Sequence, residues 1–120
     1  MFIRICNQWD AQKNTIMAND STISELRSIA SAAIPEGGKA ILYGSRARGD
    51  ARKESDWDIL ILLDKDRLVQ TDFDKVSYPF VLLGCEIGEE INPIMYTKKE
   101  WEGYRNTPFY ENVSREGIYL

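Results

Sequence analysis

Residues able to do chemistry concentrate in one stretch, Gly44-Ser45-Arg46-Ala47-Arg48-Gly49-Asp50-Ala51-Arg52-Lys53-Glu54-Ser55-Asp56-Trp57-Asp58. Asp56 and Asp58 stand two apart, so on an extended strand both carboxylates leave the same face, about 7 Å apart along the backbone, and Trp57 leaves the other. Paired carboxylates suit a hard divalent cation. Mg²⁺ takes one or two protein carboxylates and completes its octahedron with water and substrate phosphate oxygens. Gly44 permits a tight turn, and Ser45 with the amides after it opens a helix whose unpaired N–H groups favour an anion. Arg46 and Arg48 carry guanidinium forks that suit phosphate. Together these residue types point to a metal-bound triphosphate held between the turn and the two aspartates.

The ordinary alternative gives the same residues no chemistry. Asp56 and Asp58 would flank a strand, and Arg46, Arg48, Arg52 and Lys53 would form a solvated loop that pairs with Asp50 or Glu54. An isolated Asp-x-Asp is best read that way, because short motifs match by chance. A P-loop is excluded: after Gly44 to Gly49, Asp50-Ala51 occupy the places of its Lys and Ser/Thr.

The flanking pattern supplies elements that would position the pair. Ile23, Leu26, Ala30, Ala33 and Ile34 follow helical spacing, with Asp20 or Ser21 as cap and Pro35 as stop, which predicts a helix over about 21–33. Lys39-Ala40-Ile41-Leu42-Tyr43 is a short strand ended by Gly44-Ser45. The run Ile59-Leu60-Ile61-Leu62-Leu63 continues Asp56-Trp57-Asp58 as a strand buried on both faces, and it should pair with the first. Phe73, Val76, Phe80, Leu83, Gly84 and Ile87 describe a helical face capped by Asp72, which Pro79 must kink or split. Ile91-Asn92-Pro93-Ile94-Met95-Tyr96 forms a third strand that Pro93 assigns to an edge or a bulge. Residues 98–102 and 108–116 read as short closing helices.

With 120 residues the chain holds one compact domain. Its 43% hydrophobic and 28% charged residues argue against disorder or a disulfide scaffold. No apolar run is long enough to span a bilayer. Cys6 and Cys85 lie far apart without metal-ligand spacing, the pattern of reduced thiols in a cytoplasmic protein. Histidine is absent, which removes imidazole bases and Ser-His or Cys-His nucleophiles, so catalysis falls to carboxylates. A net charge of -4 opposes broad affinity for nucleic acid. Residues 1–19 carry no sustained period and no secretory pattern, and are expected to form a poorly ordered arm before a domain spanning 20–120. Met17 is a candidate translation start.

Residues 44–58 resemble the signature G-S-x10-D-x-D of the nucleotidyltransferase superfamily to which DNA polymerase β belongs. The resemblance is closest to the minimal nucleotidyltransferase form, GSxARGxxxxxSDxDL: every fixed position through Asp58 is present, and only Ile59 replaces the usual Leu. The order of helix, strand, turn, strand, helix and strand is also similar, so the likeness covers about 20–120. It implies an α+β fold with a small mixed sheet flanked by helices. It further implies that Gly44 and Ser45, with Arg46 and Arg48, hold the phosphates of an NTP such as ATP, and that Asp56 and Asp58 ligate Mg²⁺. The reaction would move a nucleoside monophosphate to a hydroxyl and release pyrophosphate.

Active members of that family usually carry a further Asp or Glu on the next strand. Here Glu90 fills the place after a shift of one pleat, with Glu86 as a remoter choice, whereas alignment on Ile94-Met95-Tyr96 places Asn92 there. An amide cannot act as a base. The resemblance also implies a protein acceptor, since stand-alone members pair as antitoxins with helical HEPN-domain toxins. The rival expectation is an inactive nucleotide-binding module that neutralises a partner by stoichiometric contact, and a second copy of the chain is a further way to cover apolar surface.

Overall fold

A computed structural model describes residues 15–120, with side chains described from Asp20 onward. Helix α1 (Thr15–Ala33) leads through a turn at Pro35–Gly38 into β1 (Lys39–Tyr43). A single helical turn, α2 (Ser45–Arg48), and a loop separate β1 from β2 (Trp57–Leu63). Next come α3 (Gln70–Asp72), a π-helical turn (Phe73–Ser77) and α4 (Tyr78–Ile87). The chain closes with β3 (Ile91–Thr97), α5 (Lys98–Glu102), α6 (Pro108–Glu116) and β4 (Ile118–Tyr119).

The sheet runs β3-β2-β1-β4. β1 is antiparallel to β2 and to β4, whereas β2 and β3 are parallel. Parallel pairing needs a long crossover, and the helices from Gln70 to Ile87 provide it. Pro93 sits in the edge strand β3, as its missing N–H requires.

Both faces of the sheet are covered, and strand alternation sorts the side chains between them. Ala40, Leu42, Trp57, Ile59, Ile61 and Leu63 join Leu26 and Ala30 of α1 and Phe80 and Leu83 of α4 in the larger core. Ile41, Leu60 and Leu62 face Trp101 and Val113 from α5 and α6. Parity therefore sends Asp56 and Asp58 to the face of Leu60, while Trp57 is buried on the other.

The first helix starts at Thr15, ahead of the expected residue 21, and Asp20 and Ser21 lie inside it instead of capping it. Met17 and Ala18 are good helix formers, and no Gly or Pro intervenes to stop the turn. The expected arm, for residues 1–14, lies outside the described residues. Pro79 neither splits nor ends its helix. The π turn absorbs it: the Tyr78 N–H donates to the Phe73 carbonyl, and Pro79 falls in the first turn of α4, where a missing N–H costs little. α5 and α6 have the expected bounds, capped by Thr97 and Thr107, whose side chains accept from the Glu100 and Tyr110 N–H groups. No helix among the described residues is long and apolar enough to cross a membrane.

On α4, Phe80 is fully buried while its near neighbour Tyr78 is 53% exposed. Urea denaturation should therefore show Phe80→Ala losing about 3–5 kcal/mol, and Tyr78→Ala staying within about 0.5 kcal/mol of the parent.

Candidate functional site

β1 ends at Tyr43 because Gly44 takes φ +79°, a conformation L side chains avoid. Space makes the same demand: a Cβ on Gly44 would stand 2.6 Å from Asp58 Oδ2. The turn is thus packed directly against the carboxylate. The Gly44 carbonyl accepts the Ala47 and Arg48 N–H groups at 3.0 Å, which winds α2 and leaves its leading amides at the Ser45 end.

Register aligns the rest. Asp58 lies opposite Tyr43 on one side and Asn92 on the other. Asn92 Nδ2 donates to Asp56 Oδ2 at 3.0 Å, spanning the pair of aspartates from β3. Asn92, not Glu90, therefore occupies the third position beside the pair. Glu90 is exposed, and its carbonyl accepts the Trp57 N–H at 2.9 Å. Glu86 is likewise exposed on α4. Among the described residues, no three Asp, Glu, Cys or His side chains converge as a metal cluster.

Burial raises the Asp58 pKa above the usual carboxylate value, the Asp56 charge raises it further, and the Asn92 amide opposes both. Tyr43 is pushed up to about 12 by burial, then by Asp58 and Tyr96, so it keeps its proton at neutral pH. No ion pair joins Asp56 or Asp58 to a described lysine or arginine. Two oxygen donors with uncompensated negative charge are a donor set that suits a hard divalent cation completed by phosphate and water.

The two arginines go elsewhere. Arg46 has only 7% of its side chain exposed and reaches back over the loop to the Ser55 and Lys53 carbonyls and to Glu89. It does not present its fork to the turn, because these acceptors and the Trp57 ring surround it. Arg48 is exposed and pairs with Asp50 and with Glu116 at the end of α6. Trp101 packs with Tyr96, Tyr104, Phe109 and Tyr110, so these aromatics fill the smaller core.

Sequence reasoning passed over Tyr43, Ser55 and Glu89. One signal does point to Glu89: an indole buried on the far side of an Asp-x-Asp strand needs an acceptor for its N–H. Trp57 Nε1 donates to Glu89 Oε1 at 2.6 Å.

A strand-borne carboxylate pair against a glycine turn, on a small mixed sheet with helices on both faces, has the donor set of an enzyme that handles a metal-bound phosphate. The sequence profile of the nucleotidyltransferase domain matches residues 23–112, and the chain belongs to that family: it is a nucleotidyltransferase of α+β fold. A protein of Methanocaldococcus jannaschii, named as a candidate protein adenylyltransferase, is 40% identical over 82 residues, 68% of this chain and 76% of that protein. A crystal structure of a toxin-antitoxin with AMP-PNP shares the fold at TM-score 0.54 and 17% identity, over 80% of this chain and 69% of that one. A variant of the MntA-HpeT toxin-antitoxin does so at TM-score 0.55 and 18% identity, over 81% and 69%.

Gly44→Ala should cost about 1–3 kcal/mol of stability and displace Asp58, read as a lower denaturation midpoint together with lost transfer. Asp58 binds its proton more tightly in the fold than in the unfolded chain. Its contribution therefore favours folding in acid and is lost as pH rises through its raised pKa. In cation-free buffer at neutral pH, Asp58→Asn should thus leave the melting temperature equal or higher, with a gain of at most about 0.5 kcal/mol because water screens the pair.

Proposed function

We propose that the domain over residues 20–120 transfers AMP from ATP to a hydroxyl group of a protein partner, with Mg²⁺ held by Asp56 and Asp58. The observation that carries this reading is the packing of Gly44 against Asp58, by which a phosphate held at the turn would lie beside the carboxylate pair. The Gly44-Ser45 amides and the Ser45 hydroxyl would orient the triphosphate. Arg48, whose pair with Asp50 is exposed and weak, would exchange it for a phosphate oxygen. Bound Mg²⁺ would neutralise charge on the phosphates and on the leaving pyrophosphate. The acceptor oxygen forms its bond to the α-phosphorus, the bond from that phosphorus to the bridging oxygen of the β-phosphate breaks, and the acceptor proton passes to solvent. Asn92 donates a hydrogen bond to Asp56 and holds it in place, but offers no base.

A protein acceptor is supported by the name of the archaeal relative, and ATP by the AMP-PNP in the fold neighbour. Both fold neighbours are toxin-antitoxin complexes, which favours a toxin as partner, of the HEPN type that the sequence resemblance implies. Val69, Phe73, Tyr78, Val81 and Leu82 expose apolar surface along the helical crossover, which a protein partner would cover. Work with ATP and Mg²⁺ suits the cytoplasm. The amide at position 92 favours a second reading, in which the domain binds nucleotide and neutralises its partner by contact alone.

The two readings separate when the purified protein is incubated with α-labelled ATP, Mg²⁺ and the product of the neighbouring gene. Label should move to the partner, and Asp58→Asn should reduce that transfer at least about 100-fold. A tight complex without transferred label would instead establish the contact reading.

A further inference from the structure

Arg46 stands at a position that the signature leaves open, yet it is the most enclosed guanidinium of the ion pairs among the described residues. It grips the loop immediately before the aspartates. Nε and Nη2 both donate to the Ser55 carbonyl, at 3.2 and 3.0 Å, and Nη2 reaches the Lys53 carbonyl at 3.1 Å. Its plane lies over the Trp57 ring, 4.6 Å from Cζ to the centroid. Beyond the ring, Glu89 Oε1 accepts from Arg46 Nη2 at 3.3 Å and from Trp57 Nε1 at 2.6 Å.

Four parts of the fold are fastened at that one group. Arg46 belongs to α2, the helical turn that follows Gly44-Ser45; Lys53 and Ser55 belong to the loop; Trp57 begins β2; Glu89 precedes β3. Glu89 is itself held from behind, since its N–H donates to the Gly84 carbonyl at 3.0 Å and a Cβ on Gly84 would lie 2.7 Å from the Glu89 carbonyl oxygen. Ser55 is fixed likewise: its hydroxyl accepts the Arg52 N–H, and its own N–H donates to the Arg52 carbonyl. Asp56 follows Ser55 directly. It lies two residues beyond the β1–β2 register, which ends at Asp58, and one before the β2–β3 register, which begins at Trp57.

We infer that Arg46 is a positioning residue, clamping the Ser55 carbonyl, the Trp57 ring and Glu89 so that Asp56 is held at a set distance from the Gly44-Ser45 turn. The inference rests on the reading of Asp56 and Asp58 as the reaction centre. A guanidinium suits the task because its planar fork reaches two carbonyls and a carboxylate while its face covers an indole, which an ammonium cannot do. Its buried charge is offset by Glu89 and by the Ser55 and Lys53 carbonyls, which accept from Nε and Nη2.

The test compares Arg46→Lys, Arg46→Met and Glu89→Gln with the parent in three measurements. These are amide hydrogen exchange over residues 50–56, Mn²⁺ binding followed by electron paramagnetic resonance without nucleotide, and the kcat and KM for ATP. Loosening the clamp should speed exchange in that loop while β1 and β2 stay protected, weaken Mn²⁺ binding, and lower kcat about 10–100-fold, with KM for ATP changed less than about threefold. Arg46→Lys should be only partly restored relative to Arg46→Met. Glu89→Gln keeps the shape and removes the charge; it should speed loop exchange and lower kcat several-fold, which keeps the test decisive if the Arg46 variants do not fold. Unchanged exchange with unchanged kcat overturns the inference. So does a loss confined to KM for ATP, which would make Arg46 a phosphate ligand. Asp58→Asn is the control: if it stays active, the reaction centre itself has been misplaced, whereas an inactive Asp58→Asn beside fully active Arg46 variants rejects the clamp alone.

Discussion

Two carboxylates held on one face of a strand repel each other, and the site depends on the fold holding them there with no ion pair to a lysine or arginine among the described residues. Asp58 lies against the Gly44 turn, and its pKa is raised first by burial and then by the charge of its neighbour Asp56. Such an arrangement opposes folding slightly when both groups are charged. It persists because β2 is the most deeply buried strand, with Ile59, Leu60 and Ile61 fully enclosed between β1 and β3. Burying those side chains contributes about 1.5–3 kcal/mol each, well above the screened repulsion of one acidic pair.

The same strand separates structure from chemistry through its two-residue period. Odd positions, from Trp57 to Leu63, anchor the larger core under α1 and α4, and even positions carry Asp58 toward Tyr43 and Asn92. A slip of one residue would bury the acid and expose the indole, so the register of β2 is held by the greasy face as firmly as by hydrogen bonds. Covalent chemistry at phosphorus asks little more of a protein than placement and charge. That explains how a domain this small, with no histidine, can belong to a family of transferases.

Much of this is legible in the order of the residues alone. β1 and β2 announce themselves by apolar runs bounded by Gly44 and Asp56, and the α+β fold is what the family resemblance of the segment between them implies. The spacing of the two aspartates and the turn is local, so sequence reads it well. What escapes such a reading needs three dimensions. The alignment of Asn92 beside the aspartates rests on parallel register between strands joined by a long crossover, and sequence alone leaves Glu90 and Asn92 as alternatives. Arg46 reads as a phosphate ligand from its place after Gly-Ser, but its partners Ser55 and Glu89 come from the loop and from the approach to β3. The early start of α1 and the two-residue β4 escape for a simpler reason. Capping residues tolerate helix interiors, and two residues carry no period.

The proposed transfer requires that the turn and both aspartates engage one nucleotide together. The most direct measurement is a crystal structure of this chain with Mg²⁺ and a non-hydrolysable ATP analogue. The predicted result is one ion at about 2.1 Å from an oxygen of Asp56, an oxygen of Asp58 and a phosphate oxygen, with the triphosphate against Gly44 and Ser45. A triphosphate bound away from that turn, or an ion that touches neither aspartate, would contradict it.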